Sequence, residues 1–334
     1  VQAANSNKRL TLISLTNVKS SDGLEEAVCD GLSRANKTLP CRYFYDETGS
    51  EIFEEICELP EYYLTRAEHE ILRDRADDIA NAFEGPTTLV ELGSGSSTKT
   101  RELIEAFLKC HGALKYVPLD ISRSMLEESA NELLGDYPAL EIFAIAAEYA
   151  RGLARIRQEE KSRKLIVFLG SSVGNFSRDD AAEFLREVRA TMRPDDRLLL
   201  GIDLRKAPDV LERAYDDSAG VTARFNMNIL SRINAELDGD FDLEAFTHRA
   251  VVDEDIGRVE MHLVSQVSQR VRIGTLDLNV NFEAEESIHT ENSYKYSHRE
   301  IDDLASAAKL QRVAQWFDTG QQFSLSLFAP ECSS

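Results

Sequence analysis

The sequence predicts an α/β fold, a doubly wound and mostly parallel seven-stranded sheet accompanied by a second, smaller α+β domain. Three observations lead there. From residue 87 to 203, short apolar runs alternate with amphipathic helical stretches, the pattern of a parallel sheet covered on both faces. The first of those runs ends in a glycine-rich turn, Gly93-Ser94-Gly95. Beyond Asp203 the pattern changes to helical stretches followed by alternating strand-like runs, as an inserted domain would give. Residues 68–205 with 295–334 are therefore expected to form the sheet domain, and 15–67 with 206–294 the second.

Taken in order, the apolar runs at 88–92, 115–119, 141–146, 164–169 and 197–202 read as strands, and 99–110, 122–134 and 179–192 carry apolar residues at helical spacing. Gly93 and Gly95 can take backbone angles closed to other residues, and Ser97 or Thr98 can cap the helix that follows. Helices are expected over 209–215 and 222–237, then strands over 258–265, 268–273 and 276–282. A last helix at 298–309 precedes two runs, 312–317 and 323–328, that can close the sheet as an antiparallel hairpin. The first 70 or so residues show no strand ahead of the glycine turn and are expected to pack with the insertion.

Ligands of such sheets lie at the carboxyl ends of the strands, which puts Gly93, Asp120, Glu148, Gly170 and Asp203 along one edge. A dinucleotide fingerprint would need a third glycine at position 98, and threonine stands there. Glu91, just ahead of the glycines, is unwelcome beside a pyrophosphate but suits a cofactor carrying positive charge. S-adenosyl-L-methionine, with its sulfonium and ammonium, is such a cofactor. Asp120 ends the next strand, where a carboxylate can accept both ribose hydroxyl protons. Glu91, Gly93, Gly95 and Asp120, with Ser94 inside the turn, thus favour a Rossmann-like methyltransferase of class I over a nicotinamide-dependent oxidoreductase or a binding protein that keeps the fold without turnover.

Bulk properties narrow the partners. A net charge of -21 disfavours nucleic acid, whose binding depends on neutralising phosphates. The five cysteines, Cys29, Cys41, Cys57, Cys110 and Cys332, never form a C-x-x-C pair, and no two of the six histidines stand at i and i+4, so no metal is expected. The N-terminus lacks an apolar signal core and no apolar stretch approaches the length of a membrane span, so a cytoplasmic protein with no membrane partner is expected. Nothing in the sequence names a protein partner.

Several polar and aromatic segments stay open on composition alone. Asn175, in the small-residue run 170–175, can orient a substrate through its amide or bond its own backbone. Tyr45 and Tyr62 lie in aromatic clusters that suit either ligand stacking or partly buried packing. Tyr215, Glu291 and Ser293 otherwise read as parts of solvated loops.

The strings Lys37-Thr38-Leu39-Pro40, Phe44-Tyr45-Asp46, Leu59-Pro60-Glu61-Tyr62-Tyr63, Thr65-Arg66-Ala67-Glu68, Glu91-Leu92-Gly93-Ser94-Gly95-Ser96, Gly174-Asn175 and Ala214-Tyr215-Asp216-Asp217 decide among these. With Ala219-Gly220-Val221-Thr222, they resemble the histidine N-alpha-methyltransferases of ergothioneine biosynthesis, from about Asp30 to Phe328. The resemblance implies transfer of up to three methyl groups to the alpha-amino nitrogen of L-histidine, giving hercynine and S-adenosyl-L-homocysteine. It implies cofactor-side roles for Tyr45, Gly93, Lys99, Asp120, Glu148 and Tyr149. Tyr62, Gly170, Ser172, Asn175 and Tyr215 fall where the family holds the amino acid, with Asn175 and Tyr215 at its carboxylate end. Tyr45, Asn175 and Tyr215 are accordingly the expected catalytic residues. Met261, Glu291 and Ser293 fall around the substrate side chain, where Glu291 can accept an imidazole N–H and Ser293 can complement the other nitrogen. Glu148 stands where aspartate is usual and Ser172 where threonine is, and each keeps its functional group. The nearest alternative is N-methylation of tryptophan or a related amino acid, whose large apolar indole conflicts with Glu291.

Overall fold

A computed structural model describes residues 9–15 and 23–331; Cys332 lies outside them. Along the described chain the strands are β1 (Leu10–Ser14), β2 (Lys37–Thr38), β3 (Thr87–Leu92), β4 (Leu114–Asp120), β5 (Leu140–Ala146), β6 (Arg163–Phe168), β7 (Arg197–Asp203), β8 (Phe246–Asp253), β9 (Arg258–Ser265), β10 (Gln269–Ile273), β11 (Leu278–Phe282), β12 (Ser287–Tyr294), β13 (Leu310–Phe317) and β14 (Phe323–Pro330). The helices are α1 (Leu24–Leu32), α2 (Glu47–Glu58), α3 (Tyr63–Asn81), α4 (Arg101–His111), α5 (Arg123–Asp136), α6 (Tyr149–Glu159), α7 (Arg178–Thr191), α8 (Pro208–Tyr215), α9 (Val221–Leu237) and α10 (His298–Ala307). The chain divides into two compact units: one holds residues 9–15 with β1, Leu64–Arg205 and the chain from Tyr296, the other residues 23–63 and Lys206–Lys295.

The first unit is built on one sheet with strand order β1-β5-β4-β3-β6-β7-β14-β13. Its strands run parallel through β7; β14 is antiparallel to β7, and β13 to β14. Every residue of β3 is buried, as a parallel strand covered on both faces requires. Strand order reverses between β3 and β6, so the loops leaving these two neighbours open at the switch point where such sheets bind ligands.

Eight strands, rather than the seven expected, make this sheet among the described residues. The eighth is β1, parallel to β5 with Leu10 opposite Ile142, and it overturns the expectation that the chain ahead of the glycine turn has no strand. As an edge strand it is only partly buried, so it lacks the continuous apolar run that marks its neighbours. The chain leaves the unit after Arg205 and re-enters at Tyr296, and the crossings are hydrogen-bonded: Arg205 N donates to Tyr296 O and Tyr296 N to Asp203 O, both at 3.0 Å.

The second unit carries a smaller sheet of order β2-β12-β9-β8 and a separate β10–β11 hairpin. Helices α8 and α9 pack against β8 and β9. The carboxylate of Asp217 caps α9 by accepting from the N–H groups of Val221 at 3.0 Å and Thr222 at 2.7 Å. Beneath it Phe44 and Phe225 pack with ring centroids 4.8 Å apart. Two expectations fail here. Residues 246–253 form a strand that the sequence did not announce, and the stretch holding Glu291 and Ser293 is strand β12 rather than a loop.

The cause in β12 is a bulge. Its pairing with β9 runs His289 to His262 and then Glu291 to Met261, which leaves Thr290 as an extra residue, its hydroxyl donating to Met261 O at 3.0 Å. This slip breaks the two-residue alternation by which a half-buried strand is recognised. It also brings Glu291 and Ser293 onto the face that carries Met261 and Val259, their partners on β9.

Candidate active site

In the first unit, the turn after β3 is braced from beneath. Glu91 is 3% exposed and accepts hydrogen bonds from Thr100 Oγ1 and Tyr116 Oη, one on each carboxylate oxygen. Burial pushes its carboxyl up to about 7, against those two hydrogen bonds and the Lys99 charge. Buried and bonded on both oxygens, Glu91 ties the start of α4 and strand β4 to the end of β3 beneath the turn. Neither Ser97 nor Thr98 caps the helix: Ser97 takes a left-handed backbone (φ 57°) and bonds Tyr116 Oη at 2.9 Å, and Thr100 occupies the cap position. The tyrosine hydroxyl draws Ser97 away from the helix end.

Gly93 has φ 70°, a conformation that favours glycine, and a Cβ on it would stand 2.7 Å from Tyr149 Oη, which would have to shift. Asp120, at the end of β4, accepts Gly95 N–H and Ser122 N–H at 2.9 Å each and remains partly exposed. Burial raises its carboxyl above the usual range, opposed by those backbone N–H groups. Ser94 Oγ is buried without a partner among the described residues, an orphan donor and acceptor inside the turn. Glu148 is exposed at the start of α6, and the ring of Tyr149 packs on Phe184 with centroids 5.1 Å apart. A short open turn, an orphan hydroxyl and a carboxylate at the adjacent strand end fit an adenosine-bearing cofactor.

The loop after β6 lies beside this turn in the same unit. Gly170 has φ 71°, Ser171 φ 56°, and residues Ser172–Asn175 form a 3-10 turn held by Ser172 Oγ donating to Leu169 O at 2.9 Å. Asn175 ends that turn, partly exposed.

The second unit gathers the other predicted residues. Tyr215 Oη and Ser293 Oγ are 2.7 Å apart, and the ammonium of Lys295 donates to both, at 2.7 and 2.8 Å. Tyr62 stands edge-on to Tyr215 with ring centroids 6.3 Å apart, and burial raises its phenol well above the usual range. Tyr45 packs on Phe53 and Phe225 at 5.6 and 5.5 Å. Met261 is buried opposite Glu291. Burial pushes the Glu291 carboxyl up to about 7 while the Lys295 charge pulls the other way, and no hydrogen bond reaches that carboxylate among the described residues. An acceptor, a pair of hydroxyls and aromatic faces therefore sit together. Among the described residues no group of His, Cys, Asp or Glu could hold a metal ion.

A sequence profile described as histidine-specific, S-adenosylmethionine-dependent methyltransferase matches residues 24–330. The chain belongs to this family. It is 45% identical over 307 residues to a histidine N-alpha-methyltransferase of Mycobacterium tuberculosis, covering 92% of this chain and 94% of that one. A second, from Mycolicibacterium smegmatis, is 42% identical over 319 residues, with 94% and 98% covered. Ergothioneine biosynthesis protein 1 of Schizosaccharomyces pombe is 32% identical over 90% of this chain, which spans 39% of that longer protein. As a member of the histidine-specific methyltransferases, the chain is an enzyme that uses S-adenosylmethionine as methyl donor.

Two residues of this histidine-specific methyltransferase escaped motif reading. Lys295 follows Ser293 by two positions, just past the end of β12, and is wholly buried, and a single lysine in a polar stretch gave no signal of that. Glu68, within the string Thr65-Arg66-Ala67-Glu68, is also wholly buried and accepts from Gly170 N–H and Lys99. An acidic residue in the first turns of a helix usually faces solvent, so its sequence context argued for the opposite placement.

Proposed function

We propose that this enzyme transfers methyl groups to the alpha-amino nitrogen of L-histidine, up to three times, giving hercynine for ergothioneine biosynthesis in the cytoplasm. The observation that carries the reading is Glu291, a carboxylate with no hydrogen bond among the described residues, on one strand face with Ser293 and opposite Met261. An imidazole N–H satisfies that acceptor, and the Ser293 hydroxyl complements the second ring nitrogen. An indole offers one N–H and no ring acceptor, so it gives no partner to the one hydroxyl proton that the Tyr215–Ser293–Lys295 set leaves over.

Bound S-adenosylmethionine supplies an electrophilic methyl on a sulfonium. The chain's task is then to hold and orient, with Asp120 for the ribose hydroxyls, and Gly93, Ser94, Gly95, Lys99, Glu148 and Tyr149 for the rest of the cofactor. Asn175 and Tyr215 are proposed for the substrate carboxylate, and Tyr45 and Tyr62 for the walls around the amino group. Gly170 and Ser172 are small enough to leave room for a growing methyl cluster. A model alpha-amino group titrates near ~8, so the ammonium has to lose a proton before each transfer. Positioning of the freed lone pair can supply roughly 7 to 11 kcal/mol of the barrier. Mass spectrometry of products formed with excess cofactor tests the reading. Trimethylated histidine is expected; accumulation of only the monomethyl compound would overturn the repeated transfer, and turnover of tryptophan in preference to histidine would overturn the substrate.

A further inference from the structure

Glu68 has no surface exposure, and a buried carboxylate persists only where it is paired. Its partners come from both loops at the switch point. Gly170 N–H, after β6, lies 2.8 and 2.9 Å from its two oxygens, and the ammonium of Lys99, at the end of the turn after β3, makes an ion pair with it. The neighbouring strand leaves a gap for it, since a Cβ on Gly201 of β7 would collide with Glu68 Oε1. Lys99 is the outward member of the pair, with its side chain 24% exposed, and its Nζ lies 3.6 Å from where a Cβ on Gly170 would stand.

We infer that Glu68 is a positioning residue for the cofactor: it fixes the Lys99 ammonium and the Gly170 backbone together, so that Lys99 meets the carboxylate of the cofactor's amino-acid part. That carboxylate is the only anionic group S-adenosylmethionine carries, and an ammonium is its charge complement, with three N–H groups in all. A lysine at this place without Glu68 would keep its rotamer freedom, and the contact would lose the benefit of preorganisation. The inference concerns only the cofactor and stands apart from the identity of the methyl acceptor.

The probes are S-adenosylhomocysteine, which carries the amino-acid part, and 5'-methylthioadenosine, which lacks it, each titrated calorimetrically against the full chain. Glu68→Gln is expected to weaken S-adenosylhomocysteine roughly 10- to 100-fold, the range for a charged hydrogen bond, and to leave methylthioadenosine within about twofold. Lys99→Met is expected to do the same, and the double variant to be no weaker than either single one. Equal weakening of both probes would overturn the inference, because a merely structural role moves both. Unchanged S-adenosylhomocysteine affinity would overturn it as well. Should Glu68→Gln fail to fold, Lys99→Met and Glu68→Asp make the same comparison, the aspartate being expected to retain part of the difference between the probes. Histidine turnover by the unaltered chain, followed separately, tests the proposed substrate.

Discussion

At Glu291, burial and the Lys295 ammonium pull the carboxyl in opposite directions, and burial prevails, with titration at about 7. As pH falls through that value the carboxylate gains a proton and loses its capacity as a pure acceptor for a ring N–H. Histidine affinity, measured calorimetrically between pH 8 and 6, is therefore expected to weaken on the acid side, and Glu291→Gln to flatten the profile while weakening binding roughly 10-fold or more at pH 8. Lys295→Met removes the charge that pulls the carboxyl down, so the acid limb is expected to move to higher pH; a shift the other way would sink the assignment. The candidate residues of the two units were unequally legible. Gly93, Gly95 and Asp120 announce themselves because a glycine turn and a strand-end acid have meaning at fixed spacing. Glu291 and Ser293 were legible only through whole-family resemblance, since nothing local distinguishes a buried Glu-x-Ser from an exposed one, and Lys295 was hidden because lysine is ordinarily outside.

The elements show the same division. Strands β3, β4, β5, β6 and β7 were plain as continuous apolar runs, because both faces of a parallel strand are covered. β1 and β8 were not, being edge strands that need bury less. β12 was hidden by its bulge, whose extra residue puts Ile288 and Glu291, three positions apart, on one face. Register makes a prediction that residue chemistry does not. Deleting Thr290 leaves Glu291 opposite Met261, so histidine binding is expected to survive with a loss below about 10-fold, together with about 1 kcal/mol of stability from the lost Thr290–Met261 hydrogen bond. Deleting Asn292 instead turns Ser293 and Lys295 to the other face, and binding is expected to fall by more than about 100-fold. Calorimetry on both variants, with thermal unfolding as the control, checks the contrast; equal effects would show that the bulge does not set the phase.

For the whole molecule, a net charge of -21 implies self-repulsion in the folded state. Raising monovalent salt from about 10 to 200 mM shortens the Debye length from roughly 30 to below 10 Å and is expected to raise the melting temperature by a few degrees. A fall in the melting temperature over that range would mean that ion pairs, rather than the surplus of acids, dominate the electrostatics. The division into a sheet unit and a second unit was legible as a change of periodicity after Asp203, but the assignment of the earliest chain was not, because β1 contributes to a sheet whose other strands begin far downstream. The hydrogen-bonded crossing at Arg205 and Tyr296 has a further consequence. Since the exit and return of the long excursion are already held side by side, lengthening or exchanging what lies between them adds little closure entropy to the sheet unit. The crossing is a doorway of fixed width: a lineage, or an engineer, can refit the excursion without moving the strands of the sheet that it leaves and rejoins.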